Sequence, residues 1–157
     1  MAARVLLPWS AGRSARSMPP MVQIDIDYRG ELRCGAVHGP SEAQLVTDAP
    51  VDNHGKGASY SPTDLLATAL GTCMLTIMGI AARREEVDLE GTRVTVIKGM
   101  VADPRRRIGR LEVRFELPAI ADADVRGRLE TAARTCPVAE SLSPGVELPV
   151  EFAWGAL

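Results

Sequence analysis

The sequence contains little cysteine, and its cysteines form no recognised pairing motif. Only three cysteines occur among 157 residues. The odd number and the lack of a CxxC pair or a zinc-finger spacing argue against a disulfide scaffold or a structural zinc. Cys34 and His38 make only an isolated C-x3-H pair. Because unpaired thiols persist in reducing compartments, we expect a cytoplasmic protein.

The sequence also lacks an excess of charge of either sign. Eighteen basic side chains stand against twenty acidic ones, which leaves a formal net charge of −2. This balance gives no general attraction to nucleic acid or to an anionic membrane, so a small-molecule substrate is favoured. With 46% hydrophobic residues, the chain is long enough to bury one core, and we expect one domain.

Residues 1–20 differ from the rest of the chain. They contain three arginines and no acidic residue, and their apolar run at residues 5–7 is too short for a secretory signal. We interpret them as an unstructured leader or as the result of a start codon placed upstream of Met21; a targeting signal is the alternative. The domain is expected over residues 21–157.

Alternating apolar and polar residues predict strands in the first part of this domain. Val22, Ile24 and Ile26 share one face, and further strands are expected at residues 32–38 and 43–47. The loop at residues 48–60 contains Asn53-His54-Gly55-Lys56-Gly57. Its glycines permit positive φ and close backbone approach, so this loop is expected to border a site.

A long apolar helix follows. Ser61 is the predicted N-cap, with Pro62 at the first helical position and Asp64 at the third, and the helix should run to about Arg84. No charge occurs between Asp64 and Arg83, so this helix is expected to be the central one of the core. A membrane span is the alternative, but threonines dilute the run and strand patterns flank it, so we expect no membrane insertion.

The last part of the chain predicts a hairpin, a helix and a strand. The hairpin joins residues 93–100 to residues 110–117 through an exposed basic tip, Arg105-Arg106-Arg107. A second helix is expected at residues 122–135, then a short turn at 138–142 and a strand at 146–152. The fold class is therefore α+β: a three-stranded meander, a buried central helix, a hairpin, a second helix and a final strand.

Two segments around cysteines resemble a known family. The segment S61-P-T-D-L-L-A-T-A-L-G-T-C73 is similar to the helix that carries the reactive cysteine in OsmC/Ohr proteins, and T135-C-P-V-A-E-S-L142 resembles their second Cys-Pro motif. The resemblance extends from Met21 to Trp154. It implies an intertwined homodimer with two active sites at the subunit interface. Without it, the favoured interpretation of Cys73 is a small buried hydrophobe, the commonest fate of a free cysteine.

The resemblance also implies a chemistry. In this family the first cysteine, here Cys73, attacks a hydroperoxide as a thiolate and becomes a sulfenic acid, and the second, here Cys136, condenses with it to a disulfide. The implied partners are an organic hydroperoxide substrate and a dithiol reductant. No cofactor is required.

The sequence departs from the family beside this motif. Peroxidatic members carry a glutamate after the proline of the helix start, which holds an arginine near the thiol; this chain has Thr63 there, followed by Asp64. Asp64 is a helix cap that could also face a partner's site. Arg33 is preferred as the arginine over Arg29, which lies at a turn. His54 is a candidate acid or base, and Cys34 is expected to be a packing residue.

Three functions remain open from the sequence. The first is the reduction of organic hydroperoxides through Cys73 and Cys136. The second keeps the disulfide but makes the protein a redox sensor or thiol-exchange partner with slow turnover. The third is a binding module that holds a small apolar molecule, with structural cysteines.

Overall fold

The structure, a computed structural model, describes residues 21–157. The expected leader at residues 1–20 lies outside the described residues. The elements follow the predicted order, with strands, helix, hairpin, helices and strand in an α+β fold. They are β1 Ile24–Gly30, β2 Arg33–His38, β3 Gln44–Asp48, α1 Pro62–Arg84, β4 Arg93–Val101, β5 Arg107–Leu117, α2 Ala123–Arg134, α3 Pro137–Glu140 and β6 Val150–Trp154.

The first sheet is an antiparallel meander in the order β1-β2-β3. Its register pairs Ile26 with Ala36 and Ala36 with Leu45, so these side chains share one face. Asp25 and Asp27 lie on the other face. The apolar face is open in the single chain: Ile24, Ile26 and Tyr28 are 57%, 70% and 67% exposed. This sheet therefore contributes little to the core of its own chain.

The second sheet has the order β4-β5-β6, and it forms one wall of the core. β4 and β5 are the predicted antiparallel hairpin, whereas β6 runs parallel to β5. Parallel pairing is possible because α2 and α3 carry the chain back across the sheet. Phe115 and Phe152, which are register partners, stack with ring centroids 4.8 Å apart.

The last strand begins later than predicted. Residues 146–152 were expected, but β6 spans Val150–Trp154. Glu147 makes only an isolated bridge to Arg110, and Pro149 has no N–H to donate to a ladder, so regular pairing starts after the proline. The remaining differences are small, and among them β5 begins at Arg107, so part of the expected basic tip belongs to the strand.

Helix α1 is the central helix of the core, as predicted. Its side chains Leu70, Met74 and Met78 are fully buried against the second sheet and α2. Gly71 lets the helix approach β4 closely, because a Cβ there would lie 2.8 Å from the Val96 side chain. Within residues 21–157, α1 alone is long and apolar enough to cross a membrane. Core helices share this property.

Candidate functional site

Cys73 lies in the middle of α1, between its buried and open sides. The preceding turns place Leu70 inward and Ala69 outward, and Cys73 itself is half-buried against the core. Leu66 and Ile80, each about two turns away on either side, are 39% and 45% exposed. The helix therefore holds Cys73 rigidly while leaving part of its surface accessible.

Cys136 lies where the chain turns from α2 into α3. The proline at position 137 cannot continue α2 and instead occupies the first position of α3, which makes Cys136 the N-cap of that short helix. Its Sγ accepts a hydrogen bond from the backbone N–H of Ala139 at 3.4 Å. The residue is fully buried in the core.

The fold brings these two thiols together although they are far apart in the sequence. Helix α3 packs against α1, and Cys73 packs against the core cluster that contains Cys136. Both cysteines are free thiols. Two neighbouring thiols, one half-exposed and one buried, are the pair that a thiol–disulfide exchange needs.

Burial raises the pKa of the Cys136 thiol above its ordinary value. The N–H of Ala139 acts in the opposite direction, and the neighbouring Cys73 adds to the increase. Because an apolar environment disfavours a thiolate, Cys136 is protonated at neutral pH. The two cysteines are therefore chemically different, and Cys73 is the one that a dissolved molecule can reach.

Arg33 lies in the first sheet rather than beside the thiols of its own chain. It pairs across the strands with Asp48, which is fully buried. In the described part of the chain, Arg33 Nε and Asp48 Oδ1 are both buried without a hydrogen-bond partner. Asp48 Oδ2 accepts the N–H of Ala58, which ties the following loop to the sheet. Arg29, the other arginine considered, is bound to Asp27 at 2.8 Å.

His54 is exposed in the loop between β3 and α1. Its backbone is left-handed, with φ of 67°, and it ends a short 3-10 turn at Val51–Asn53. Gly55, next to it, passes so close to the backbone of Ala49 that a Cβ would lie 1.7 Å from the carbonyl oxygen. The glycines thus permit the close approach that the sequence predicted, but His54 itself does not lie with the thiols.

Asp64 belongs to a polar cluster at the start of α1. It forms a capping box with the predicted N-cap Ser61: Asp64 N donates to Ser61 Oγ, and Ser61 N donates to Asp64 Oδ2. The ammonium group of Lys98, which is 17% exposed, donates to Asp64 Oδ1 at 2.5 Å and to Thr63 Oγ1 at 2.8 Å. Within one chain this cluster is separate from the thiols.

Lys98 was missed by the sequence analysis, although the signal was present. On β4 the inward positions are Val94, Val96 and Lys98, whereas Ile97 faces outward and is 59% exposed. A lysine on the inward side of an alternating strand needs a buried partner. The start of α1 provides that partner.

We expect the contribution of Asp64 to stability to depend on pH. Burial raises the pKa of this carboxyl, but hydrogen bonds from Lys98 and Ser61 outweigh burial and leave the pKa below its ordinary value. A carboxyl whose pKa is lower in the folded than in the unfolded protein stabilises the fold at pH values above its unfolded pKa, which is about 3.9. This stability is lost as the pH falls through the folded-state pKa. Asp64→Asn should therefore lower the free energy of unfolding by about 1 kcal/mol at pH 7, with the difference shrinking below pH ~4.

Urea unfolding at a series of pH values measures this difference. Asp25→Asn is the matched control, because the Asp25 carboxylate is exposed and, within residues 21–157, accepts a hydrogen bond only from the nearby Gln23 amide. A cost of Asp64→Asn that stayed constant down to pH 2 would contradict the assignment.

Comparison with known proteins shows which family the chain resembles. A family model described as OsmC-like protein matches residues 55–151. Among curated proteins, none matches the sequence. A crystal structure from Psychrobacter arcticus 273-4, provisionally described as an osmotic stress induced and detoxification response protein, is 43% identical, with a TM-score of 0.79; the match covers 87% of this chain and 98% of that one.

Two more distant structures share the fold. An organic hydroperoxide resistance protein OsmC from Legionella pneumophila is 16% identical, with a TM-score of 0.67 and coverage of 87% of this chain and 99% of that one. An organic hydroperoxide resistance protein from Elizabethkingia anophelis is 13% identical, with a TM-score of 0.69 and coverage of 88% and 99%. The family model spans both thiols, and the chain belongs to the OsmC-like protein family.

Proposed function

We propose that this protein reduces organic hydroperoxides through a thiol–disulfide cycle between Cys73 and Cys136. The observation that carries the proposal is that the fold packs Cys73 against the core cluster containing Cys136, with the first thiol half-exposed and the second fully buried. Structural neighbours named organic hydroperoxide resistance proteins support this substrate class.

In the first step, the Cys73 thiolate attacks the distal oxygen of a hydroperoxide ROOH. A sulfur–oxygen bond forms and the O–O bond breaks, so that Cys73 becomes a sulfenic acid and the leaving alkoxide takes a proton to become the alcohol ROH. Cys73 is suited to this role because it is half-buried rather than sealed within the core.

In the second step, Cys136 resolves the sulfenic acid. Its sulfur bonds to the Cys73 sulfur, and the sulfenic oxygen leaves as water with the Cys136 proton. A protonated Cys136 provides that proton, which agrees with the raised pKa of its buried thiol. Overall, one hydroperoxide and two thiols give one alcohol, one water and one disulfide. An external dithiol then reduces the disulfide, and the cycle requires no cofactor. Such a cycle fits a reducing compartment, the cytoplasm.

We also propose that the protein works as a homodimer. The open apolar face of the first sheet and the open side of α1 are surfaces that a second copy would cover. Arg33, Asp64 and His54 lie away from the thiols of their own chain, so any action on a thiol has to occur across such an interface.

A comparison of substrates tests the proposed function. The full chain is assayed with cumene hydroperoxide and with hydrogen peroxide, in the presence of a small dithiol, and the dithiol consumed is measured. We expect sustained turnover with a preference for the organic peroxide, because the surroundings of Cys73 are apolar. Loss of two thiols per chain without turnover would instead indicate a redox sensor. No loss of thiols would contradict both.

The sensor is the second candidate because of one observation. Where peroxidatic relatives carry a glutamate, this chain has Thr63, and its hydroxyl accepts a hydrogen bond from Lys98. Without the glutamate to hold an arginine near the thiol, the thiolate of Cys73 forms less readily and attack is slower.

A further inference from the structure

The last turns of α2 are tied to the final strand, β6, by side-chain contacts. Glu130 and Arg134 are four residues apart and share one face of α2. The indole N–H of Trp154 donates to Glu130 Oε1 at 2.8 Å. Arg134 Nη2 donates to the Val150 carbonyl at 3.0 Å, and the guanidinium lies over the Phe152 ring, with Cζ 5.0 Å from the ring centroid. These contacts hold the end of α2 against the edge of the second sheet.

Arg134 provides a hydrogen bond that the edge strand lacks. β6 is the outer strand of the second sheet, and the Pro149 carbonyl accepts from the N–H of Val113 on β5. Because successive carbonyls of a strand point to opposite sides, the carbonyl of Val150 points away from β5. Arg134 donates to this edge carbonyl. As the last residue of α2, it also places a positive charge at the negative end of the helix.

These contacts act at the point from which the chain continues to Cys136. α2 ends at Arg134, Thr135 is its C-cap, and Cys136 follows as the N-cap of α3. The backbone N–H of Cys136 donates to the carbonyl of Ala133 at 3.3 Å, so the end of α2 carries the thiol. The Arg134 side chain is exposed, whereas Ala133 and Cys136 are fully buried. A surface contact with β6 therefore fixes the position of a buried thiol.

The resolving step of the proposed cycle depends on this position. A disulfide forms without strain only when the two Cα atoms lie roughly 4.4–6.8 Å apart. As the bond between the two sulfurs forms, the sulfur–oxygen bond of Cys73 breaks, and the oxygen leaves as water with its own proton and that of Cys136. If this step is slow, a second hydroperoxide oxidises the sulfenic acid to the sulfinic acid and is itself reduced to the alcohol. The ratio of sulfinic acid to disulfide therefore reports how well Cys136 is placed.

We propose that Arg134 is a positioning residue for the resolving thiol. By holding the end of α2 against β6, it keeps Cys136 where it reaches the Cys73 sulfenic acid before a second hydroperoxide does. The inference rests on the proposed thiol cycle. Because Arg134 donates to a carbonyl of β6 and acts on Cys136 through the backbone, the first attack by Cys73 should not depend on it.

Arg134→Met tests the proposal, because methionine keeps an unbranched side chain but removes the charge and the hydrogen bond. The reduced full-length protein is mixed with cumene hydroperoxide without a reductant, and the products at Cys73 are followed by mass spectrometry of quenched samples. We expect the Cys73 thiol to be lost at the parent rate. The disulfide should form about 10-fold more slowly, since misplacing reacting groups by about 1 Å costs up to about 100-fold in rate. The ratio of sulfinic acid to disulfide should rise by a similar factor.

Arg128→Met is the matched control. Arg128 lies on the same helix and donates twice to the Glu85 carboxylate, at 2.7 Å in both cases, so its loss also removes a contact that holds α2. It lies nearly two turns before Arg134 and therefore further from Cys136. We expect the parent product ratio in Arg128→Met, even where its melting temperature falls as far as that of Arg134→Met. A product ratio that followed the melting temperature in both variants would show general stabilisation and overturn the proposal.

Arg134→Lys provides the conservative variant. Lysine keeps a cation for the Phe152 ring and a donor for the Val150 carbonyl, so it should restore most of the parent product ratio. An unchanged ratio in Arg134→Met, or no recovery in Arg134→Lys, would overturn the role of Arg134 and leave the thiol cycle intact. A parent protein that lost no thiols to the peroxide would contradict the thiol cycle itself, and the role of Arg134 with it.

Discussion

Cys73→Ser should abolish the consumption of organic hydroperoxide altogether. A serine hydroxyl is not ionised at neutral pH, so it cannot replace the thiolate that attacks the O–O bond. The remaining thiol at position 136 is fully buried, and burial raises its pKa, so it should not take over the attack. Peroxide remaining after incubation with a dithiol measures the effect, and we expect the rate to fall to that of the dithiol alone.

Cys136→Ser should behave differently, and this difference identifies the roles. Cys73 can still attack once, but serine cannot condense with the sulfenic acid that forms. Excess peroxide should then oxidise Cys73 to the sulfinic acid, so the mass of this variant should increase by two oxygen atoms. In the parent protein the disulfide forms first and protects Cys73 from this second oxidation.

Cys34→Ser is the matched control. Cys34 lies on β2 in the first sheet, away from the thiol pair, so this variant should turn over like the parent. Full turnover by Cys73→Ser would contradict the assignment of the attacking thiol. A first reaction at Cys136, detected as sulfenic acid at that position in the parent protein, would reverse the roles.

The order and type of the elements could be predicted because each has a strong local signal. Ser61, Pro62 and Asp64 define the start of α1 through capping chemistry alone, and the structure confirms Ser61 as the N-cap and Pro62 as the first helical residue. Alternation of side chains likewise predicted the strands of both sheets. The start of β6 was predicted wrongly because the pattern of residues 146–152 does not show that Pro149 interrupts the ladder.

The arrangement of the site could not be obtained in this way. Cys73 and Cys136 are sixty-three residues apart, and no periodicity in the sequence shows that α3 packs against α1. That contact was expected only from the family resemblance. The ion pair between Lys98 and Asp64 depends in the same way on how β4 lies against the start of α1. A sequence pattern shows which face of a helix or strand is buried, whereas the tertiary fold determines which element packs against that face.

The second large effect concerns the association of two copies of the chain. We expect the parent protein to sediment as a dimer at micromolar concentration, and Ile26→Glu to sediment mainly as a monomer. Ile26 is 70% exposed in the single chain and shares its face with Ile24, Tyr28 and Leu45. An apolar strand face left open in this way is typical of a surface that another subunit covers. A carboxylate placed there would be buried without a partner, which costs several kcal/mol.

Gln44→Glu is the matched control for this variant. Gln44 is exposed on β3 of the same sheet and pairs with Val37 on the opposite face, so the substitution adds the same charge without changing the apolar surface. We expect Gln44→Glu to remain dimeric. Sedimentation velocity of the three proteins distinguishes the outcomes, and circular dichroism shows whether Ile26→Glu keeps its helices. A monomeric parent would contradict the proposed dimer. A dimeric, folded Ile26→Glu would show that the first sheet is not the surface through which the subunits associate.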